Sequence, residues 1–247
     1  MRIVSLVPSL TEYLWALGLD TEVVGITKFC VHPQAWKYSK VKVGGTKKVN
    51  FEAIQHLVPD LIIANREENT KDDIAFLAQR YEVLLTDINS LEQAFAYLSI
   101  IGERVGKKIE AAHLLLQIQA QFQNATQIGH GATFLYLIWK DPYFVVGPNT
   151  YIDAFLSQFG FVNACVIERY PDLAEVLEKD MLRPADPKYI FLSSEPFPFE
   201  EKHFTEVQAL FPNSKIELID GEMCSWYGAR MLQAASYIQE KFKNQKG

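Results

Sequence analysis

The stretch LEQAFAYLSIIGERVGKKIEAAHLLLQIQAQFQN, Leu91 to Asn124, decides how the chain is read. Its apolar positions Leu91, Phe95, Leu98, Ile101, Val105, Ile109, Ala112 and Leu116 advance in steps of three and four. Arg104, Lys107, Lys108 and Glu110 occupy other faces, which is the pattern of an amphipathic helix. One unbroken helix of this length spans roughly 50 Å, more than a small domain is wide. The expectation is therefore a single rigid strut joining two lobes. The alternatives are a long helix covering one sheet, or two helices broken near Gly102 to Gly106.

Strands and helices alternate on both sides of this stretch. In the first part, strand Ile3 to Leu6 leads into a helix ending near Gly18, with Ser9 and Glu12 at capping-box spacing. Strands are expected at Glu22 to Ile26, Val41 to Gly44, Leu61 to Ala64 and Glu82 to Thr86. Helices are expected at Phe51 to Val58, capped by Asn50, and at about Lys71 to Arg80, with Ser90 capping the long helix. Beyond it come strands Ala132 to Trp139, Tyr143 to Gly147, Tyr189 to Ser193 and Ile216 to Ile219. The helices there run from about Thr150 to Phe159, Phe199 to Leu210 and Ala229 to Phe242. The fold class is α/β, with two Rossmann-like lobes of mostly parallel sheet. The expected divisions are 1–90, a connecting helix at 91–125, and 126–247. Ligand-binding loops in such sheets lie beyond the carboxyl ends of the strands.

Composition narrows the function. The chain has 247 residues, 49% of them apolar, enough for two modest cores. Basic residues number 24 against 30 acidic, which argues against a nucleic-acid partner. Cys30, Cys165 and Cys224 are too few and too scattered for a disulfide framework or a zinc ribbon. The opening runs straight into a strand, with no charged segment followed by about 7 to 15 apolar residues. As the sequence stands the expected location is cytoplasmic, and periplasmic if an export segment precedes it. No apolar run reaches membrane-spanning length.

Five phrases, in order along the chain, resemble one family. They are Ile3-Val4-Ser5-Leu6-Val7-Pro8-Ser9-Leu10-Thr11-Glu12, Val24-Gly25-Ile26-Thr27 with Pro33 downstream, Val43-Gly44-Gly45 before Asn50-Phe51-Glu52-Ala53-Ile54, Pro59-Asp60-Leu61-Ile62-Ile63-Ala64, and Gly147-Pro148-Asn149-Thr150-Tyr151-Ile152. Ser225-Trp226-Tyr227-Gly228-Ala229-Arg230 stands where many members carry an arginine-containing turn. The chain resembles the substrate-binding proteins of the cobalamin and ferric-siderophore ABC transporters. That resemblance implies a class III periplasmic-binding-protein fold and no enzymatic activity. It further implies a metal chelate, cobalamin or another corrinoid first, held between the lobes as ligand with no resident cofactor. The implied partners are the chelate and an ABC permease, and the implied state is a monomer. The alternatives are a ferric-siderophore or haem receptor, and a cytoplasmic corrinoid or haem carrier or sensor on the same fold.

A corrin is a broad, partly apolar disc fringed with amides, so its receptor needs aromatic walls and hydrogen-bonding rim groups. The resemblance places Pro8, Phe29, His32, Asn65, Arg66, Tyr151, Trp226, Tyr227 and Arg230 in ligand-facing loops. Asn65 departs from the pattern, since a tryptophan is expected after the Ile62-Ile63-Ala64 strand. Cys30 and His32 form a Cys-x-His pair chemically able to ligate cobalt, haem iron or zinc, although a bare metal would need more ligands. Receptors of this class dock on a permease through carboxylates. The candidates are Glu67, Glu68, Asp72 and Asp73, with Glu195, Glu200 and Glu201 further on. Each could instead be an ordinary solvated helix start. The sequence carries no Gly-x-x-x-x-Gly-Lys-Ser/Thr loop, no Gly-x-Gly-x-x-Gly and no Gly-x-Ser-x-Gly elbow.

Overall fold

A computed structural model describes residues 1–123 and 125–243. Asn124, at the expected helix end, and residues 244–247 of the expected second lobe lie outside the described residues. The chain divides into two compact units. Unit 1 comprises Met1–Ile88, Glu92–Ile118 and Tyr227–Met231; unit 2 comprises Asn89–Leu91, Gln119–Trp226 and the described residues from Leu232 on.

In unit 1 the order is β1 (Ile3–Ser5), α1 (Pro8–Ala16), β2 (Val23–Ile26), α2 (Gln34–Ser39), β3 (Val41–Lys42), α3 (Phe51–Leu57), β4 (Leu61–Asn65), α4 (Lys71–Ala78) and β5 (Glu82–Thr86). The strands form one all-parallel sheet in the order β3-β2-β1-β4-β5. β4 is buried along its whole length, which its continuous apolar run Leu61-Ile62-Ile63-Ala64 anticipates for a central parallel strand. Beside it Val4, Leu6, Val43, Ile54, Ile74 and Leu77 build the core. Asn50 caps α3 as expected, its side chain accepting from the Ala53 N–H at 3.0 Å. The capping box expected at Ser9 and Glu12 does not form. Val7 is the N-cap residue without a side-chain cap bond, and Pro8 takes the first helical turn, where its missing N–H costs nothing.

The expected single strut is two helices, α5 (Leu91–Arg104) and α6 (Lys108–Gln123), so the alternative break near Gly102 to Gly106 is the one the structure has. Gly106 adopts φ 72°, the Lys107 N–H donates to the Gly102 carbonyl at 2.7 Å, and the Gly106 N–H donates to the Glu103 carbonyl at 3.2 Å. This pairing is a Schellman termination. A Cβ on Gly102 would stand 2.2 Å from the Ala111 Cβ, whereas nine residues along a straight helix cover roughly 13 Å, so the chain turns back on itself. The turn also resets the helical phase. Leu91, Leu98, Ile101 and Val105 are buried as expected, but Ile109 is 83% and Leu116 65% exposed. Ala111, Leu115, Ile118 and Phe122 form the buried face of α6 instead.

Unit 2 contains β6 (Thr133–Trp139), β7 (Phe144–Val145), α7 (Tyr151–Gln158), β8 (Val162–Asn163), α8 (Leu173–Glu178), β9 (Tyr189–Ser193), α9 (Phe204–Leu210), β10 (Lys215–Ile219), α10 (Gly221–Ser225) and α11 (Met231–Phe242), with a 3-10 turn at Glu201–His203. Its sheet runs β10-β9-β6-β7, with β8 pairing β6; only the β6–β7 pairing is antiparallel. Phe134, Phe161, Tyr189, Phe191 and Phe242 pack ring against ring, with neighbouring centroids 5.0 to 6.1 Å apart. The α/β class with two mostly parallel sheets is as expected; β8, α8 and the short α10 were not. Among the described residues no helix is long and apolar enough to cross a membrane.

Candidate functional site

In unit 1 the carboxyl ends of the strands are tied together by two asparagines. The Asn65 side chain donates to Thr86 Oγ1 at 3.1 Å and accepts from the backbone N–H groups of Glu67 and Glu68 at 2.8 and 3.2 Å. Asn69 accepts from the Asn65 N–H at 2.9 Å and donates to the Thr46 carbonyl at 3.0 Å. Both asparagines are buried, Asn65 to 1% exposure. Asn65 was expected to face the ligand; its amide shapes the Asn65–Asn69 turn, a use that needs donor and acceptor on one short side chain. Asn65→Ala is expected to cost about 2 kcal/mol, because several buried partners lose their bonds at once. Urea unfolding should show the midpoint fall at constant slope. Full stability with weakened chelate binding would instead return Asn65 to the ligand-facing set.

Around that turn the expected residues separate. Arg66 is exposed and pairs with Asp87 at 2.8 Å. Asp72 is exposed and Glu67 half-buried, while burial pushes the half-buried Glu68 carboxyl up, with Lys47 opposing the shift. Asp73 is turned inward, taking a 3.4 Å contact from the Val49 N–H. Pro8 is buried at the start of α1.

The loop after β2 carries Phe29, half exposed, with the Lys28 ammonium 5.0 Å from its ring centroid. His32, three residues further along the same loop, is half-buried. Cys30 is fully buried, its sulfur 3.0 Å from Thr11 Oγ1 and 3.2 Å from Thr27 Oγ1. Burial pushes its thiol up, the two hydroxyls pulling the other way. A metal ligand must be a thiolate open to the ion, and the buried Cys30 thiol packs against the two threonines. Among the described residues no group of three or more His, Cys, Asp or Glu could hold a metal ion.

Arg230, expected in a ligand-facing loop, is held by an ion pair. Its guanidinium makes a two-pronged pair with Glu12 of α1 at 2.9 and 3.1 Å, both side chains largely buried, within unit 1. Its neighbour Tyr227 is 6% exposed.

Unit 2 places Tyr151 at the start of α7 with 3% exposure, its ring stacked on Phe155 at 6.2 Å, and burial pushes its phenol up. Expected among the ligand-facing residues, it packs in the core of unit 2. The loop before it, Gly147 to Thr150, is stitched to the next loop: the Gly147 N–H donates to the Arg169 carbonyl at 2.7 Å and the Arg169 N–H to the Pro148 carbonyl at 2.9 Å. Arg169, which sequence reasoning missed, sits at φ 68° and bonds Asn89 Oδ1 and the Asn149 carbonyl. A left-handed arginine is a strained feature that local sequence does not announce. Trp226 lies just past β10 and α10, and its indole N–H donates to Glu195 Oε1 at 2.7 Å. Glu195, expected in an acidic group with Glu200 and Glu201, accepts that bond. Glu200 and Glu201 remain exposed, Glu200 pairing with Lys202 at 3.0 Å.

A sequence profile described as periplasmic binding protein matches residues 3–211. The chain belongs to the periplasmic binding protein family. An uncharacterised ABC transporter substrate-binding lipoprotein of Bacillus subtilis, YvrC, is 29% identical over 174 residues, covering 66% of this chain and 55% of that protein. The chain spans about half the length of the curated relatives it matches first. Among solved structures, the periplasmic vitamin B12 binding protein BtuF of Vibrio cholerae aligns with a TM-score of 0.75 at 22% identity, over 100% of this chain and 98% of that one. The periplasmic heme-binding protein RhuT of Roseiflexus sp. RS-1 aligns at 0.77 with 22% identity, over 98% and 97%. At that identity the two structures speak for the fold, which both share with this family member.

Proposed function

We propose that the chain is a non-enzymatic binding protein for a metal chelate, cobalamin or another corrinoid first, serving an ABC permease. Family membership over residues 3–211 is the observation that carries this reading. Support comes from the B. subtilis relative, named a substrate-binding lipoprotein, and from the chemistry of the loops past the strand ends. Phe29 supplies a half-exposed aromatic with a cation beside it in unit 1. Trp226 supplies an indole with its N–H fixed in unit 2. These suit a flat, partly apolar ring system with a polar rim. His32, half-buried in the same loop as Phe29, is the better candidate axial ligand, and Arg66 and Tyr227 are candidate rim contacts. The exposed Asp72, Glu200 and Glu201, with Glu67, are the carboxylates best suited to a permease, where they would steer encounter more than add affinity.

Trp226→Ala is expected to weaken corrinoid binding by about 1 to 3 kcal/mol, the range for losing an anchoring aromatic. Titration of wild-type and variant protein with cyanocobalamin reads this directly. Equal affinities would remove Trp226 from the site.

A further inference from the structure

One stretch of this acidic chain carries charge of a single sign. From Val23 to Phe51 there is no Asp or Glu and there are six lysines, in a chain with 30 acidic residues against 24 basic. Three of the six have partners near β3 and α2. Lys40 pairs with Asp20 at 3.3 Å, Lys42 donates to the Trp36 and Lys40 carbonyls at 3.2 and 3.3 Å, and the Lys37 ammonium lies 5.9 Å from the Tyr38 ring centroid. The other three, Lys28, Lys47 and Lys48, are exposed on the loops past the carboxyl ends of β2 and β3. That is the end at which parallel sheets of this kind bind ligands.

The two loops are joined into one surface. The Lys28 N–H donates to the Gly44 carbonyl at 2.8 Å, and the Gly45 N–H donates to the Lys48 carbonyl at 2.9 Å, closing a turn between Gly45 and Lys48. Asn69 ties this turn to the next loop through the Thr46 carbonyl at 3.0 Å. The Phe29 ring rests on the Gly45 backbone: a Cβ on Gly45 would stand 3.1 Å from Phe29 Cε2 and 3.5 Å from Lys28 Cε. The Lys28 ammonium is 5.0 Å from the centroid of that ring, which stays half exposed. Lys47 turns to the neighbouring segment, its ammonium donating to the Glu67 carbonyl. Among the described residues neither Lys28 nor Lys48 is in an ion pair.

We propose that Phe29 and Lys28, with Lys48 on the adjoining turn, form an anion-receiving subsite in unit 1. The apolar surface of a chelate meets Phe29, and a carboxylate or phosphate group projecting from its edge meets the Lys28 ammonium, a charge-assisted contact to which Lys48 adds local positive field. The ligands so favoured are metal chelates whose edge carries ionised carboxylate or phosphate groups, over those edged only by amides or esters. This rests on the reading of the strand-end loops as ligand-binding loops. Lysines that only kept the loops solvated would be indifferent to an anion on the ligand.

The test compares wild type, Lys28→Gln, Lys48→Gln and the control Lys37→Gln, which removes the same charge at α2. Each is titrated at low salt with two matched pairs: cyanocobalamin, which has a phosphodiester, against dicyanocobinamide, which has none; and haem, with free propionates, against its dimethyl ester. Comparing variants across a pair isolates the anion from the other differences between its members. The expected result is that Lys28→Gln lowers affinity for the anionic member by about two- to fivefold more than for its partner, the range for an exposed charge pair. Lys48→Gln acts in the same direction to a smaller extent, Lys37→Gln leaves the ratio unchanged, and added salt narrows the wild-type ratio. A shift in the cobalamin pair alone names phosphate as the anion, and one in the haem pair alone names carboxylate. Equal loss for both members, no loss, or a Lys37→Gln effect as large as that of Lys28→Gln overturns the subsite while leaving the receptor reading intact. Wild-type protein that binds no member of either pair overturns the chelate reading and the subsite with it. If Lys28→Gln fails to fold, Lys48→Gln carries the comparison.

Discussion

Arg230→Met is expected to destabilise the protein by about 3 to 5 kcal/mol, the range for removing one partner of a buried ion pair. The two side chains are only 12% and 15% exposed, and the guanidinium meets both carboxylate oxygens of Glu12. Truncation leaves that carboxylate largely buried without its guanidinium. The pair also fixes to α1 the short segment Tyr227–Met231 that the late chain contributes to unit 1. Urea unfolding at neutral pH measures the loss. The double variant Glu12→Leu with Arg230→Met should recover most of it, since two apolar side chains of similar volume remove the buried charge altogether. A single variant as stable as wild type would mean the pair is solvated and Arg230 is open to a ligand after all.

Gly147→Ala is the second large effect. A Cβ there would stand 1.8 Å from the Ile167 carbonyl oxygen and 3.0 Å from its carbonyl carbon, both backbone atoms with little freedom to yield. The loops would have to part, losing the Gly147 N–H to Arg169 and Arg169 N–H to Pro148 bonds as well. Overpacking plus two hydrogen bonds sums to about 4 kcal/mol. Thermal unfolding should show a markedly lower midpoint, and chelate affinity should fall with it if the Gly147–Tyr151 loop contacts ligand. An unchanged midpoint would show that the two loops are not packed as described.

Much of the scaffold is legible in the sequence because its signals are local. The continuous apolar run at Leu61 to Ala64 admits a buried parallel strand, and Asn50 three residues before Ala53 is a sufficient cap. The phase of α6 was not legible. Ile109, Ala112 and Leu116 and the rival set Ala111, Leu115, Ile118 and Phe122 both satisfy helical spacing. Only the turn at Gly106 decides between them. The site shows the same limit more sharply. The aromatic and charged residues can be picked out, but their partners are distant in sequence. Arg230 finds Glu12 across 218 positions, Trp226 finds Glu195 across 31, and Asn65 finds Thr86 across 21. Those pairings give Arg230 a largely buried ion pair, Trp226 a fixed indole N–H and Asn65 a place in a turn.

The most direct test of the chelate-binding account is titration of the purified wild-type protein with cyanocobalamin, dicyanocobinamide and haem, following ligand absorption and tryptophan quenching together. Saturable binding of a corrinoid is the result the account predicts, with a shifted absorption band if His32 reaches the metal. Saturable binding of haem alone would move the ligand to the iron chelates, and binding of none of the three would contradict the account.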